Sequence, residues 1–231
     1  MWRAWGELAY SVRTGEPAFP EVFGMDIWAY RVQHPAANAI FNAAMTAHAA
    51  QDIPPILAAY DFSPWQTIVD VGGGNGILLA AILTAYPALR GILLDQPHVV
   101  AAAAARLQAA GVADRCQLVG GDFFAAAPRG GDGYLLRAIL HDWDDGQCVA
   151  ILRTCHQAMP AHAKLLIVEG LIQPANRPDL TKLVDINMLV MAGGQERTVE
   201  EFRALLARAG FALTQVIATT GDTSIIEAAK A

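Results

Sequence analysis

A cluster of glycines constrains the fold of this chain more than any other feature of its sequence. The short apolar run Val69-Asp70-Val71 leads directly into Gly72-Gly73-Gly74-Asn75-Gly76. Glycines let a backbone turn tightly and approach a ligand closely, because no Cβ stands in the way. A strand that ends in such a loop and passes into a helical pattern at 75–86 is typical of the first unit of an open α/β sheet. We therefore expect the loop to lie at the ligand-binding edge of that sheet.

Strand and helix patterns alternate over the rest of the chain. The predicted strands are 67–71, 91–94, 117–119, 133–139, 164–168, 211–218 and 224–227, and the predicted helices after the glycines are 75–86, 97–110, 147–159 and 198–209. The last helix begins with a capping-box pattern, Thr198 followed by Glu201. Continuous apolar strands indicate a mostly parallel sheet that is covered by helices on both faces. The sequence predicts an α/β fold of this kind.

The first 60 residues have a different character. Their helical patterns are broken by glycines and prolines, and the longest of them, at 36–50, is followed by Pro54 and Pro55, which we expect to interrupt it. We therefore divide the chain into a helical linker or lid segment at 1–60 and an α/β domain at 61–231.

Composition narrows the function classes. The chain has 231 residues and a net charge of −6, so it lacks the basic surface that binds nucleic acids. The same negative charge argues against binding to an anionic membrane surface. No apolar run is long enough to span a bilayer. The three cysteines (Cys116, Cys148 and Cys155) form no CxxC pair, which indicates reduced thiols and a cytoplasmic location. Histidines and cysteines do not cluster along the chain, so we expect no metal site.

Acidic residues follow the second and third predicted strands. Asp95 ends the second strand, where a carboxylate can accept both hydrogen bonds of a ribose diol. Asp122 can accept from an adenine amine after the third strand, and Phe123 can cover the ring. The glycine loop departs from the dinucleotide fingerprint, since Ile77 stands where the third glycine belongs. Asp70, which precedes the glycines, suits a ligand with a cationic amino-acid end.

His141 follows the fourth predicted strand and so lies at the same edge. With an ordinary pKa of ~6.5, histidine suits a general base near neutral pH. Such a base needs a carboxylate that fixes its tautomer and stabilises its cation. Glu169 at the end of the fifth strand and Glu196 just before the last helix are the two candidates, and either one could reach the ring.

These motifs together resemble those of the S-adenosylmethionine-dependent O-methyltransferases of the caffeate/acetylserotonin/hydroxyneurosporene type. The resemblance rests on Val69–Gly76, Asp95-Gln96-Pro97, Gly121-Asp122-Phe123-Phe124, Leu140-His141-Asp142-Trp143, Leu166–Glu169 and Gly194-Gln195-Glu196-Arg197-Thr198. It implies a class I methyltransferase sheet of seven strands, the last of them antiparallel, and makes 61–231 the catalytic domain. It also implies methyl transfer to a hydroxyl, phenolic by expectation, of a small aromatic or polyketide-like molecule.

The resemblance implies a role for each matching residue. The positions that hold S-adenosylmethionine, and S-adenosylhomocysteine as product, are Gly72, Gly74, Asp95, Asp122, Phe123 and Arg137. His141 matches the catalytic base, and Glu169 and Glu196 match the acids that bracket it. Met25, Asp142 and Met188 fall near positions that line the pocket of the hydroxyl acceptor.

Two departures from the family pattern stand out. Gln195 occupies a position where relatives often carry Lys or Arg, and we expect this to affect only a loop surface. The family usually begins with a winged-helix-like domain that builds a homodimer, whereas this chain starts at the tail of that domain. We therefore expect a fragment or a short natural form, with weakened dimerisation.

Three alternatives remain open at the level of sequence. Some relatives bind the same cofactor but carry out decarboxylation, hydroxylation or cyclisation. A truncated chain could also be a cofactor-binding module without catalysis. A nicotinamide-dependent oxidoreductase is disfavoured by Ile77 and by the acid at Asp70.

Overall fold

The computed structural model describes residues 1–174 and 176–231. The helices are α1 (Trp2–Gly6), α2 (Leu8–Thr14), α3 (Ala18–Phe23), α4 (Ile27–Gln33), α5 (Pro35–Ala59), α6 (Ile77–Ala85), α7 (Pro97–Ala109), α8 (Asp145–Ala158), α9 (Leu180–Met191) and α10 (Val199–Arg208). The strands are β1 (Thr67–Val71), β2 (Arg90–Asp95), β3 (Cys116–Gly120), β4 (Gly133–Arg137), β5 (Lys164–Glu169), β6 (Phe211–Ala218) and β7 (Ser224–Lys230). Short 3₁₀ turns at Ala113–Arg115 and Leu140–Asp142 complete the set.

The strands form one seven-stranded sheet in the order β3-β2-β1-β4-β5-β7-β6. Every pairing is parallel except those of β7, which runs antiparallel to β5 and β6. The predicted fold class is confirmed, including the antiparallel last strand. Since β1 pairs with both β2 and β4, the strand order reverses at β1, and open α/β sheets bind ligands at such a switch point.

Both faces of the sheet are buried under helices. On one face, α8 and α10 contribute Ile151, Leu152 and Phe202 to a core shared with the central strands. On the other face, α6 and α7 contribute residues such as Leu79 and Leu107. This double cover explains why the parallel strands are apolar on both sides rather than alternating.

Helix α9 was not predicted from the sequence. It packs through Val190 and Met191 against the amino-terminal helices, which supply Ala4, Phe19 and Ile27 to the same small core. Large apolar side chains nevertheless remain exposed on these helices and include Trp2, Val12, Val32, Ile40, Leu180 and Leu183. The division of the chain near residue 60 stays a prediction.

The expected break at Pro54 and Pro55 is wrong, because α5 runs through both prolines for 25 residues. A proline lacks the N–H that would bond the carbonyl four residues earlier, so each one removes a helical hydrogen bond. Asp52 and Ile56, which flank the prolines, are buried, the first against Arg137 of β4 and the second in the core under α6, and this packing holds the helix in place. Within the described residues, no helix combines the length and the apolar character needed to cross a membrane.

Candidate active site

The glycine loop is tied to the end of β2. Gly72 and Gly74 have positive φ angles of +72° and +61°, which favour glycine. The N–H groups of Gly72 and Gly73 donate to the Leu94 carbonyl at 2.8 and 3.3 Å. The N–H of Gly74 donates to Asp95 Oδ2 at 2.8 Å. The loop and the acid at the end of β2 therefore form one unit.

The same loop also touches the ends of β3 and β4. A Cβ at Gly72 would lie 2.5 Å from Ile139 Cδ1 and 3.5 Å from Phe123 Cε1, whereas a Cβ at Gly74 would meet nothing within 4 Å. Asp122 accepts the N–H of Phe124 through Oδ1 at 2.9 Å. The predicted residues of the glycine loop, Asp95, Asp122 and Phe123 therefore lie at one edge of the sheet, and the space beside Gly74 is open.

Asp70 lies directly beneath this loop. Its side chain is buried and its Oδ2 atom has no hydrogen-bond partner. Burial raises the pKa of Asp70 to about 7, Asp95 adds to the rise, and Arg137 opposes it. A buried carboxyl oxygen without a partner is costly, so the site favours a ligand that brings a cationic donor. This observation fits the ammonium group of S-adenosylmethionine.

Arg137 at the end of β4 has partners within the protein. Its guanidinium forms a close ion pair with Asp52 of α5, and its Nη2 lies 3.2 Å from His48 Nδ1. Neither Asp52 nor His48 was singled out from the sequence, because the pairing spans 85 residues to Asp52. The role of Arg137 in holding the cofactor stays a prediction.

His141 lies in the 3₁₀ turn that follows β4, between the two predicted acids. Its Nδ1 is 2.7 Å from Glu196 Oε1 and 3.6 Å from Glu169 Oε2, and its Nε2 is 3.9 Å from Asp142 Oδ1. Burial lowers the pKa of His141, but Glu169, Glu196 and Asp142 outweigh it, and the pKa rises to about 10. Glu196 therefore makes the direct contact with the ring, and within the described structure Nε2 makes no hydrogen bond.

Glu169 acts mainly on the backbone of the turn. Its Oε1 accepts the N–H groups of Ile139 and Leu140, both at 2.9 Å. The carboxyl group is fully enclosed, and burial raises its pKa. Glu169 thus fixes the turn that carries His141 and adds negative charge beside the ring.

One histidine and two glutamates meet here, although the linear sequence showed no such cluster. One ligand atom from each of His141, Glu169 and Glu196 lies within 4.8 Å of the others, a set that could hold a metal ion. The distance of 2.7 Å between His141 and Glu196 is also that of a charge-assisted hydrogen bond. We interpret the cluster as a braced imidazole.

The predicted acceptor residues are spread over three elements. Asp142 adjoins the His141 ring, Met25 lies half-buried in the loop between α3 and α4, and Met188 lies half-buried on α9. Trp143, two residues after His141, stacks on Trp28 of α4 with ring centroids 5.6 Å apart. The lining role of the two methionines stays a prediction.

A seven-stranded sheet of this order, with a glycine loop after β1 and acids after β2 and β3, defines a class I methyltransferase. Comparison with known proteins gives the family. A family model described as an O-methyltransferase domain matches residues 5–212. The chain belongs to the S-adenosylmethionine-dependent O-methyltransferases, and the predicted family and cofactor are confirmed.

Two relatives show the extent of the similarity. Phenazine O-methyltransferase PhzM of Lysobacter antibioticus is 49% identical over 228 residues, which cover 99% of this chain and 67% of the relative. O-demethylpuromycin-O-methyltransferase of Streptomyces alboniger is 45% identical over 235 residues, which cover 98% of this chain and 62% of the relative. The chain thus spans about two thirds of the length of these relatives.

Solved structures agree with the fold. The crystal structure of LaPhzM matches with a TM-score of 0.96 and 49% identity over 100% of this chain and 69% of that chain. A structure of NcsB1 from neocarzinostatin biosynthesis, in complex with S-adenosylmethionine and 2-hydroxy-5-methyl naphthoic acid, matches with a TM-score of 0.90 and 38% identity. That match covers 99% of this chain and 68% of the other.

Proposed function

We propose that the chain transfers a methyl group from S-adenosylmethionine to a phenolic hydroxyl of a small aromatic molecule, with His141 as general base. The observation that carries the proposal is the contact of His141 Nδ1 with Glu196 at 2.7 Å, while Nε2 makes no hydrogen bond in the described structure. Relatives that act on an aminohydroxybenzoate and a dihydroxynaphthoate support the aromatic acceptor.

On the cofactor side of the edge, four residues would contact the ribose, the adenine and the positive charge of S-adenosylmethionine. Asp95 would bind the ribose diol, Asp122 the adenine amine and Phe123 the face of the ring. Asp70 beneath the loop would balance the positive charge. When bound, the cofactor supplies a methyl group that is activated by its sulfonium.

Glu169, Glu196 and Asp142 raise the pKa of His141 to about 10. The neutral imidazole, which accepts the proton of the acceptor hydroxyl at Nε2, therefore becomes more populated as pH rises. A phenol has a pKa of ~10, by analogy with tyrosine. Little phenolate exists near pH 7, so a base beside the hydroxyl assists its deprotonation.

The two glutamates stabilise the imidazolium that this transfer produces. Glu196 accepts a hydrogen bond from the Nδ1–H of His141 and so fixes the tautomer of the ring, as the carboxylate of a catalytic triad does. Glu169 holds the turn in place through two backbone N–H groups. The base should contribute roughly 10²–10⁴-fold to the rate, and the orientation of the two substrates supplies the remainder.

The test is a turnover assay of this chain with S-adenosylmethionine and three acceptors that follow from the relatives: 3-amino-4-hydroxybenzoate, a dihydroxynaphthoate and a hydroxylated phenazine. We expect a product whose mass has increased by one methyl group. His141→Ala should lower kcat by roughly 10²–10⁴-fold with little change in S-adenosylhomocysteine affinity. His162→Ala is the matched control, since this exposed histidine pairs only with Asp132 at 3.2 Å in the described structure.

Unchanged turnover in His141→Ala would refute the assigned base. A product that has lost carbon dioxide, gained oxygen or cyclised would favour the alternative chemistries. Binding of S-adenosylhomocysteine without any product from the three acceptors would favour a non-catalytic module.

We also retain a cytoplasmic location and a small-molecule partner, without nucleic acid or membrane, as part of this proposal. The free thiols of Cys116, Cys148 and Cys155 support a reducing compartment. The exposed apolar side chains of the amino-terminal helices support an interface in a homodimer.

A further inference from the structure

The turn that carries His141 is held by the side chain of Arg197, which has no role in the proposed mechanism. Arg197 is only 1% exposed. Its Nη1 donates to the Leu140 carbonyl and its Nη2 to the Trp143 carbonyl, both at 3.0 Å. These two carbonyls flank His141 and Asp142, so one guanidinium holds both ends of the turn.

The remaining donors of Arg197 are also satisfied. Asp145 Oδ1 accepts from Nε at 3.1 Å and from Nη2 at 2.9 Å, and the Gln195 carbonyl accepts from Nη1 at 3.3 Å. A guanidinium has five N–H donors in a rigid plane, and all of them are accounted for here. A buried charge is tolerated only when it is paired and hydrogen-bonded in this way. Because the N–H donors of the guanidinium lie in one rigid plane, they fix the position of the two carbonyls of the turn relative to Asp145.

Gly194 provides a second and independent contact with the same turn. A Cβ at this position would overlap the His141 carbonyl oxygen, and it would lie 2.5 Å from the Asp142 carbonyl carbon and 2.8 Å from the Trp143 nitrogen. The backbone at Gly194 can therefore approach the turn only because the side chain is a hydrogen atom. Any larger residue would push the turn away.

We propose that Arg197 is a positioning residue that sets the place of the His141 ring against Glu196 by clamping the backbone on both sides of His141. Glu196 and Arg197 are adjacent in the chain, so one short segment holds both the imidazole and the backbone that bears it. The expected effect of the clamp on turnover rests on the proposed function. The expected effect on the contact between the His141 ring and the Glu196 carboxylate is independent of that function.

The first experiment measures the His141 ring directly, by NMR titration of the protein without an acceptor. In Arg197→Gln we expect the turn to loosen and the ring to leave Glu196, so that the pKa of His141 falls by about one unit or more toward the ordinary histidine value. Arg208→Gln is the matched control, because Arg208 also binds Asp145, at 3.3 Å, but is half-exposed and makes no hydrogen bond to the turn in the described structure. An unchanged His141 titration in folded Arg197→Gln, or an equal shift in Arg208→Gln, would overturn the proposal.

The conservative variant separates positioning from charge. Arg197→Lys keeps a positive charge, but an ammonium cannot span both carbonyls and Asp145. With an acceptor that is turned over, we expect kcat to fall by about 10²-fold, the cost of a misplacement near 1 Å, while S-adenosylhomocysteine affinity is retained. Full activity in Arg197→Lys would contradict the clamp.

Gly194→Ala tests the same idea with the guanidinium intact, and it decides the question if the Arg197 variants do not fold. The added methyl should displace the turn and lower the pKa of His141, whereas Gly6→Ala, whose Cβ meets nothing within 4 Å, should change nothing. A native His141 titration in Gly194→Ala would count against the proposal. If no acceptor is methylated at all, the proposed function fails while these titrations still decide the clamp.

Discussion

In the two halves of the ligand edge, the glycine loop and the His141 turn are held by contacts of different sequence range. On the cofactor side, the glycine loop binds Asp95 from a separation of 21 residues, on the neighbouring strand. On the other side, the His141 turn is held by Glu169, Glu196 and Arg197 over separations of 30, 55 and 57 residues. The loop is thus tied to an adjacent unit of the sheet, whereas the turn depends on the folding of the carboxyl-terminal region.

Asp70 and Arg197 differ in how their buried charges are compensated. Within the described structure, Asp70 Oδ2 has no hydrogen-bond partner, and neither has Glu196 Oε2 beside His141, whereas all five N–H donors of Arg197 are paired. We therefore expect a mutation that removes the Asp70 charge to stabilise the ligand-free protein, and a mutation that removes a paired contact of the His141 turn to destabilise it.

The largest effect on stability is expected from Glu169→Ala. This change removes the acceptor of the N–H groups of Ile139 and Leu140, and hydrogen bonds to charged groups contribute about 1.5–3 kcal/mol each. We expect the free energy of unfolding to fall by about 3 kcal/mol, measured by denaturant titration. Glu200→Ala, on an exposed face of α10, is the control, and a loss below about 1 kcal/mol in Glu169→Ala would place the support of the turn elsewhere.

Asp70→Asn should act in the opposite direction and stabilise the ligand-free protein by about 2 kcal/mol near pH 8, because it removes a buried charge. Because folding raises the pKa of Asp70 to about 7, the ionised form costs stability that protonation restores. The gain should be absent below about pH 4 and should grow as pH rises toward 7. Thermal unfolding at several pH values checks this.

The same variant should weaken S-adenosylhomocysteine binding, since the ligand loses its partner charge. A destabilised Asp70→Asn with unchanged ligand affinity would show that the carboxylate is compensated without a ligand, and the contrast between the two halves would then disappear.

Glu196→Gln should change the pH dependence of methyl transfer. The carboxylate of Glu196 raises the pKa of His141, so its removal lowers that pKa and makes the neutral base available at lower pH. The rising limb of kcat against pH should move down by about one unit or more. If the rising limb of kcat against pH does not move, the group that titrates there is the acceptor hydroxyl and not His141.

The smallest effect is expected from Gln195→Ala, next to Glu196. The Gln195 side chain is exposed and donates to Asp145 at 3.1 Å. Loss of this surface contact should change the free energy of unfolding by less than about 0.5 kcal/mol and should leave S-adenosylhomocysteine affinity unchanged. A larger loss would show that the clamp extends to this side chain.

The sequence predicted most of the sheet because its strands are short apolar runs bounded by glycines. The strands Thr67–Val71 and Phe211–Ala218 have the predicted bounds, and Thr198 and Glu201 form the predicted capping box. Helix α5 did not end at Pro54 and Pro55 as predicted, because the tertiary packing of Asp52 and Ile56 compensates for the helical hydrogen bonds that the prolines remove. Rules based on local sequence do not include tertiary packing.

The positions of the candidate site residues were predictable where they end or closely follow parallel strands, because such strands bring their carboxyl ends to one edge. Asp95 and Glu169 end β2 and β5, and His141 lies in the turn that follows β4. The choice between Glu169 and Glu196 as ring partner, and the role of Arg197, depend on long-range packing that only coordinates reveal. Position next to Glu196 is the single sequence signal that could have pointed to Arg197.

The stacked indoles of Trp28 and Trp143 have a practical consequence. Their rings lie 17° from parallel, and Trp143 also meets Phe124 edge-on with centroids 4.9 Å apart. Two nearly parallel indoles at this distance interact electronically, so we expect the pair to contribute to the near-ultraviolet circular dichroism of the protein. A movement of α4 relative to the His141 turn would change that contribution, which makes the pair an intrinsic optical probe of this contact.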